Sequence, residues 1–338
     1  MHTPFSALRL AVTALAVALA TVPPVTAEEA PSGYWTLQLE NDVWGSGDDR
    51  FYTHGTEFAY MRAGAPPGWL DTIAGWIPLF ERSEEVAMGY TLGQKIFTPE
   101  DTESHALVAD DRPYAGWLFA SAGVGSRIER SERAEVINGV EVTLGMVGPS
   151  AHSDDTQRAY HELIGVAVPR GWDHQLHDEP GFVLSYLRKW RYFPDLEGPR
   201  QLEVSPHLGA AVGNIYTYAS AGLMVRWGSN LRTDIGPPNI RPGFPGAGFF
   251  QTGPKPNWYL FGGVEGRAVA RDIFLDGNTF RDSHRVSREP FVGDVQFGVA
   301  VHVKRTRIAL SNVYRTREFK GQDEPARYGA VSITVYVD

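Results

Sequence analysis

The sequence predicts an all-β protein, a twelve-stranded antiparallel transmembrane β-barrel with a short extracellular helix after strand 5. Three observations lead there. The first is an export signal. Arg9 gives a thin positive region, Leu10 to Ala20 is an apolar run, and Val25-Thr26-Ala27 offers a small-residue cleavage site. That run is well short of the roughly 20 residues a spanning helix needs, and no later run approaches one. The second is composition: no Cys, 36 Gly, 17 Phe, 14 Tyr and 9 Trp in 338 residues. The third is a succession of segments of about ten residues in which apolar and polar side chains alternate, as in strands that meet lipid on one face and a polar lumen on the other. A secreted or periplasmic β-sandwich is the alternative that composition alone leaves open.

Residues 1–27 read as signal peptide and 28–338 as one barrel domain. Beyond residue 27 the chain keeps all 40 acidic side chains and 30 of its 31 basic ones, a balance that argues against a nucleic-acid partner. Without Cys there is no disulfide, no Cys metal site and no Cys nucleophile.

The strand candidates, in order, are 33–42, 53–62, 86–97, 115–127, 134–147, 180–192, 201–212, 217–227, 256–268, 291–302, 304–316 and 327–337. The last alternates most cleanly: Val331, Ile333, Val335 and Val337 interleave with Ser332, Thr334 and Tyr336. A terminal amphipathic strand suits a sheet that closes on its first strand. An even count puts both termini of the barrel chain on the periplasmic side, so connections after odd strands are extracellular. Residues 63–85 then hold a short periplasmic helix. Residues 228–255, rich in Pro and Gly, make a periplasmic connection unusually long for a barrel. After strand 5, Ser153 or Asp154 can cap a helix through TQRAYHELIGVAV, with the Asp residues complementing its dipole. Gln157 and His161, four residues apart, share one face of it.

The polar motifs converge on one rim. Asn41 and Asp42 end strand 1, and Thr53-His54-Gly55 opens strand 2. Gln94 and Lys95 lie near the outer end of strand 3, DRPYAGW (111–117) opens strand 4, and GWDHQLHDEPG (171–181) leads into strand 6. Alternation places Asn41 on the same face as Trp35, Leu37 and Leu39. If that face meets lipid, an outward amide is costly unless the helix after strand 5 covers it. The site would then lie between wall and helix, open to the leaflet.

END…DRFYTHG, LGQKIFTPED, DRPYAGWL, the Gln-x-x-x-His helix and GWDHQLHDEPG, in this order, resemble the outer-membrane lipid A 3′-O-deacylases, most strongly over residues 33–190. The resemblance implies a twelve-stranded barrel whose site lies between the wall and an extracellular helix. It implies calcium-dependent hydrolysis of the 3′ acyl ester of lipid A, so lipopolysaccharide as substrate and outer-membrane lipids as surroundings. It assigns the site to Asn41, Asp42, Thr53, Gln94, Lys95, Gln157 and His161. His161 becomes the general base that activates water, and Ca²⁺ near Asp42 the polarising ion. The chemistry is consistent with this: an imidazole titrates near neutrality, and hard Ca²⁺ takes carboxylate and carbonyl oxygens.

Other readings of the same residues stand beside this one. A lone His on a helix is commonly a solvated side chain. Asp48 and Asp49 read as solvated turn charges, Asp111-Arg112 as a structural ion pair, and His54, His174 and His177 as local hydrogen-bonders. An outer-membrane phospholipase with a Ser/His mechanism is the competing enzyme, though no Gly-x-Ser-x-Gly elbow is present. A porin-like barrel is the non-enzymatic alternative.

Overall fold

The alternation read from the sequence closes into a barrel. The computed structural model describes residues 33–42, 51–196, 198–236 and 257–337. The signal-peptide segment, Asp48, Asp49 and most of the 228–255 connection lie outside the described residues. The strands are β1 (Gly33–Asn41), β2 (Phe51–Ala63), β3 (Glu85–Thr98), β4 (Ala115–Ser131), β5 (Ala134–Val147), β6 (Glu179–Asp195), β7 (Gln201–Gly213), β8 (Tyr216–Gly228), β9 (Asn257–Asp272), β10 (Phe291–Val303), β11 (Thr306–Arg315) and β12 (Ala326–Val337). Each pairs antiparallel with its sequence neighbours, and β1 pairs with β12 to leave no edge. All twelve predicted strands are present. Among the described residues the α-helices are α1 (Gly68–Trp76), α2 (Ser153–Ile164) and the four-residue α3 (Ile273–Asp276).

The period-two pattern sorts the two faces. Outward stand Phe58, Leu92, Leu144, Phe182, Leu260, Phe297 and Ile308, all exposed, as a lipid-facing belt requires. Inward stand Glu135, Arg191, Glu203, Arg226 and Arg307, all buried. At the periplasmic end these inward charges close on the start of the β8–β9 connection. Glu203 pairs with both Arg191 and Arg226, and Arg191 also pairs with Glu135. Asp234, fully buried, pairs with Arg307 at 3.1 Å and His302 at 2.6 Å. Carbonyls of Leu231 and Asp234 accept from Arg191 at 2.8 and 2.7 Å. The first residues of the long connection therefore fold into the lumen, and the flanking strands keep the predicted register.

At the extracellular end the lumen is apolar. Phe97, Trp117, Phe119, Val183, Tyr218, Ile273 and Phe274 form one cluster, with Phe274 of α3 stacked on Phe97 at 4.0 Å between ring centroids. Charged groups rim this plug. Arg112 is buried and pairs with Glu318 at 3.5 Å, not with Asp111. The Asp111 carboxylate instead accepts from the backbone N–H of Glu100 at 2.7 Å and of Arg112 at 2.6 Å. The ion pair expected between neighbours is thus a turn device beside a longer-range pair.

Candidate active site between the wall and helix α2

The cross-strand register builds the site's floor. Asn41 of β1 stands opposite His54 of β2, His54 opposite Ile96 of β3, and Ile96 opposite Gly116 of β4. Residues directly opposite share a face, so all four lie on the outer, lipid-facing side. Gln94, two residues from Ile96, lies there too. Asn41 and Asp42 are each only 1% exposed although the first belongs to the outward row. Something covers that row, and the contacts identify α2.

Small residues let α2 approach. A Cβ on Gly116 would fall 2.1 Å from the Ser153 hydroxyl and 3.3 Å from Ala151, so only glycine admits the start of the helix. The Gln94 amide donates to the Ala151 carbonyl at 2.7 Å and ties the wall to the 3-10 turn before α2. Along the helix, Tyr160 meets the His54 ring at 5.5 Å. His54 also bonds the Thr56 hydroxyl at 2.7 Å, the local role expected of it, whereas His174 meets the carbonyl of His105, distant in sequence, at 3.2 Å. The backbone N–H of His177 donates to Asn278 at 3.0 Å.

The ends of α2 differ from the sequence reading. The N-cap is His152, in the left-handed region at φ 53°, without a side-chain cap bond. Ser153, expected there, is instead the first helical residue and is packed against Gly116. Asp154 and Asp155 do occupy the first turn. The helix stops at Ile164 because Gly165 takes φ 74°, a left-handed cap that glycine adopts at little cost. The chain then doubles back, so that Val166 N–H bonds the His161 carbonyl at 3.1 Å.

This reversal fixes His161. Its Nδ1 lies 2.5 Å from the Ala167 carbonyl oxygen. A carbonyl only accepts, so Nδ1 carries the proton and Nε2 is the basic nitrogen in the neutral ring. Gln157, one turn earlier, accepts at Oε1 from the Trp172 indole N–H at 2.8 Å, and Trp172 packs on Tyr114 at 5.0 Å. Gln157 and His161 are 2% and 4% exposed, so the face they share is sealed rather than solvated.

The seven predicted positions divide. Asn41, Asp42, Gln157 and His161 are all buried at the extracellular rim, and Gln94 lies on the same outer face. Thr53 falls on a β-bulge, where β2 slips register against β3 between Tyr52 and His54; its side chain lies outside the described residues. Lys95 is on the opposite face of the wall. It points into the lumen, 3.3 Å from Glu57 and over the Phe119 ring. Neither Trp172 nor the Ala167 carbonyl is among the site residues predicted from the sequence. GWDHQ was a visible motif, but its contact with Gln157 depends on how the chain returns after Gly165.

Among the described residues no three His, Asp or Glu side chains gather as a metal nest. The donors at the end of β1 are hard oxygens: the Asp42 carboxylate and the Asn41 amide, adjacent and buried. They suit Ca²⁺ in kind. They are two side chains for an ion that takes roughly 6–8 oxygens, so backbone carbonyls, water and substrate would complete the shell.

The outer membrane protein LpxR family model matches residues 11–337 of the chain. Among solved structures, LpxR from Salmonella typhimurium superposes with a TM-score of 0.73 at 18% identity, over 90% of this chain and 100% of that one. The beta domain of the Bordetella autotransporter BrkA gives 0.44 at 10% identity, over 90% and 99%. The KdgM porin gives 0.41 at 4%, over 90% and 99%. No curated protein sequence is significantly similar. Matched over nearly its whole length, and sharing the barrel of LpxR, the chain belongs to the LpxR family of outer membrane proteins.

Proposed function

We propose that this barrel hydrolyses the 3′-linked acyl (acyloxyacyl) ester of lipid A in the outer leaflet, using water activated by His161 and with Ca²⁺ as cofactor. One observation carries the reading. Asn41, at the end of the outward row of β1, and Gln157 and His161 of α2 are buried at the rim, on the wall side that elsewhere faces hydrocarbon, where α2 packs through Tyr160 on His54 of that same row; Asp42, next to Asn41 in sequence, is buried as well. Polar groups in such a place are expensive without a task. The location suits a substrate whose ester lies at the membrane surface, and the family's membrane and the resemblance in sequence point to lipid A.

The chain's own residues supply the proton chemistry. The Ala167 carbonyl holds the His161 tautomer, leaving Nε2 to take a proton from water attacking the ester. Trp172 fixes the Gln157 amide one turn away. Gln94 anchors the start of the helix. Asp42 with Asn41 would hold Ca²⁺, which when bound acts as a Lewis acid on the ester carbonyl.

Two alternatives fare worse. Ser150 is engaged by Asp178 at 2.8 Å. Ser153 is buried against Gly116 and lies about 12 Å from His161 along the helix axis, at 1.5 Å per residue. Neither suits a Ser/His nucleophile. Against a passive pore, the described residues cross the lumen at both ends, with an apolar cluster outside and an ionic one inside. The test is mass spectrometry of lipid A incubated with the folded protein, with Ca²⁺ or with chelator. Loss of one acyloxyacyl group only with Ca²⁺ is the expected result. Unchanged lipid A in both tubes would sink the proposal, and equal loss in both would remove the metal from it.

A further inference from the structure

A second helix lies on the outside of the wall, at the opposite end. Helix α1 connects β2 to β3, so it is periplasmic. Its Leu70 and Ala74 are fully buried, packed with Val124 and Val140 of the wall and flanked by Ile73, Ile77 and Phe80. Val124 and Val140 belong to the outward row, because Leu118 and Ala120 of β4 pair with Met146 and Leu144 of β5 on that face, and Val124 pairs with Val140 six and four residues on. The helix therefore sits against lipid-facing wall.

The other sides of α1 are sharply divided. Trp69 and Trp76, two helical turns apart and so on one flank, are 50% and 73% exposed, with Leu79 exposed just beyond. Asp71 lies on the opposite flank and is bound by Arg82 at 3.0 Å. That flank adjoins the barrel mouth, where Gly68, Asp71 and Arg82 line a cavity of about 710 Å³ with Val86, Arg127 and Ile137. The strap after the helix is fastened to the wall. Tyr186 and Arg188 donate to the Leu79 carbonyl at 2.9 and 2.8 Å, and Glu81 pairs with Arg188 and Arg130.

We infer that α1 and its strap are a docking surface for the phospholipids of the periplasmic leaflet. The Trp69/Trp76 flank enters the acyl–headgroup boundary and the Asp71/Arg82 flank stays in water. Three features select this occupant. The face continues the lipid-facing belt of the barrel. Its exposed groups are Trp and Leu, and indole rings favour the membrane–water boundary. The charges beside it are already paired, Arg82 with Asp71 and Glu81 with Arg130 and Arg188, so the apolar flank is bounded by a neutralised polar one. An amphipathic helix held in the interface binds through such a division of faces.

The test uses full-length protein folded into vesicles of phosphatidylethanolamine and phosphatidylglycerol, with or without bromine on acyl carbons near the headgroup. The emission of Trp69 and Trp76 is taken as the difference between wild type and the Trp69→Phe/Trp76→Phe variant, both checked as folded barrels by heat-modifiable gel migration. Trp76→Phe alone serves if the double variant folds poorly. The inference expects this difference emission to be lost in brominated vesicles and insensitive to aqueous acrylamide. Quenching by acrylamide but not by bromolipid would overturn it. So would shielding from both, which would mean that protein covers the face, a second copy or a periplasmic partner.

Discussion

Two helices lie on the outside of the same barrel, one at each end, and they bury opposite things. Helix α1 presses Leu70 and Ala74 onto Val124 and Val140, apolar against apolar. Helix α2 is held by a Gly116 notch and a Gln94 bond, and the polar face it seals carries Gln157 and His161. A helix placed only to cover a wall in lipid needs the first kind of contact. The second kind keeps an imidazole and an amide out of water, where a polar group left unpaired would cost roughly 1–3 kcal/mol, and the Ala167 carbonyl and the Trp172 indole hold them. The difference is what the two proposals require, with α1 as membrane fitting and α2 as the roof of the proposed reaction site.

The largest expected effect breaks the α2 side. His161→Ala should lower the deacylation rate by about 10²–10⁴-fold, the usual contribution of a general base, while heat-modifiable migration stays normal. On the α1 side, Leu70→Ala should cost about 2 kcal/mol in urea unfolding from vesicles, at the low end for a core leucine because lipid can refill the gap, with the rate per folded molecule unchanged. If Leu70→Ala abolished activity instead, the division of labour between the helices would fail.

Much of this contrast was legible in the sequence, and the reasons are physical. A side-chain period of two exposes strands directly, and all twelve were found in place. The outward position of Asn41 followed from Trp35, Leu37 and Leu39, and its need for a cover followed from the cost of a buried amide. What alternation cannot reveal is where a chain goes once its period lapses. Gly165 ended α2 before the predicted VAV, and that reversal brought the Ala167 carbonyl to His161. Lys95 sits beside Gln94 in sequence, yet a strand sends neighbours to opposite faces, so the two lie on opposite sides of the wall. The return of residues 231–236 into the lumen depended on charges distributed over β6, β7, β8 and β11, which no local window shows.

Smaller perturbations sharpen the comparison. Gly165→Val forces a β-branched residue to φ 74° and should cost about 1–2 kcal/mol; it should also shift the pH dependence of the rate as the Ala167 carbonyl leaves Nδ1. Gly165→Asn, which tolerates that region, should restore the wild-type pH profile. Trp172→Phe keeps the ring stacking on Tyr114 but removes the indole donor to Gln157. The rate should fall about fivefold, from a net hydrogen bond near 1 kcal/mol.

The smallest effect lies on the α1 side. Arg188, hydrogen-bonded to Glu81, and then Arg130 hold that carboxyl below its ordinary range. A lowered folded-state value means the contribution is present at neutral pH, above the unfolded value, and is lost as pH falls through the lowered one. Glu81→Gln should therefore change unfolding at neutral pH by less than about 1 kcal/mol, because the pair is half-exposed, and flatten its decline in acid.

The most direct test of the central claim compares wild type and His161→Ala on lipid A in the presence of Ca²⁺, both proteins verified as folded barrels, with products read by mass spectrometry. The account predicts that wild type removes one 3′ acyloxyacyl group and that the variant leaves lipid A intact. A folded His161→Ala protein that still removed the group would contradict it, because the polar face sealed beneath α2 would then not be where the ester is cut.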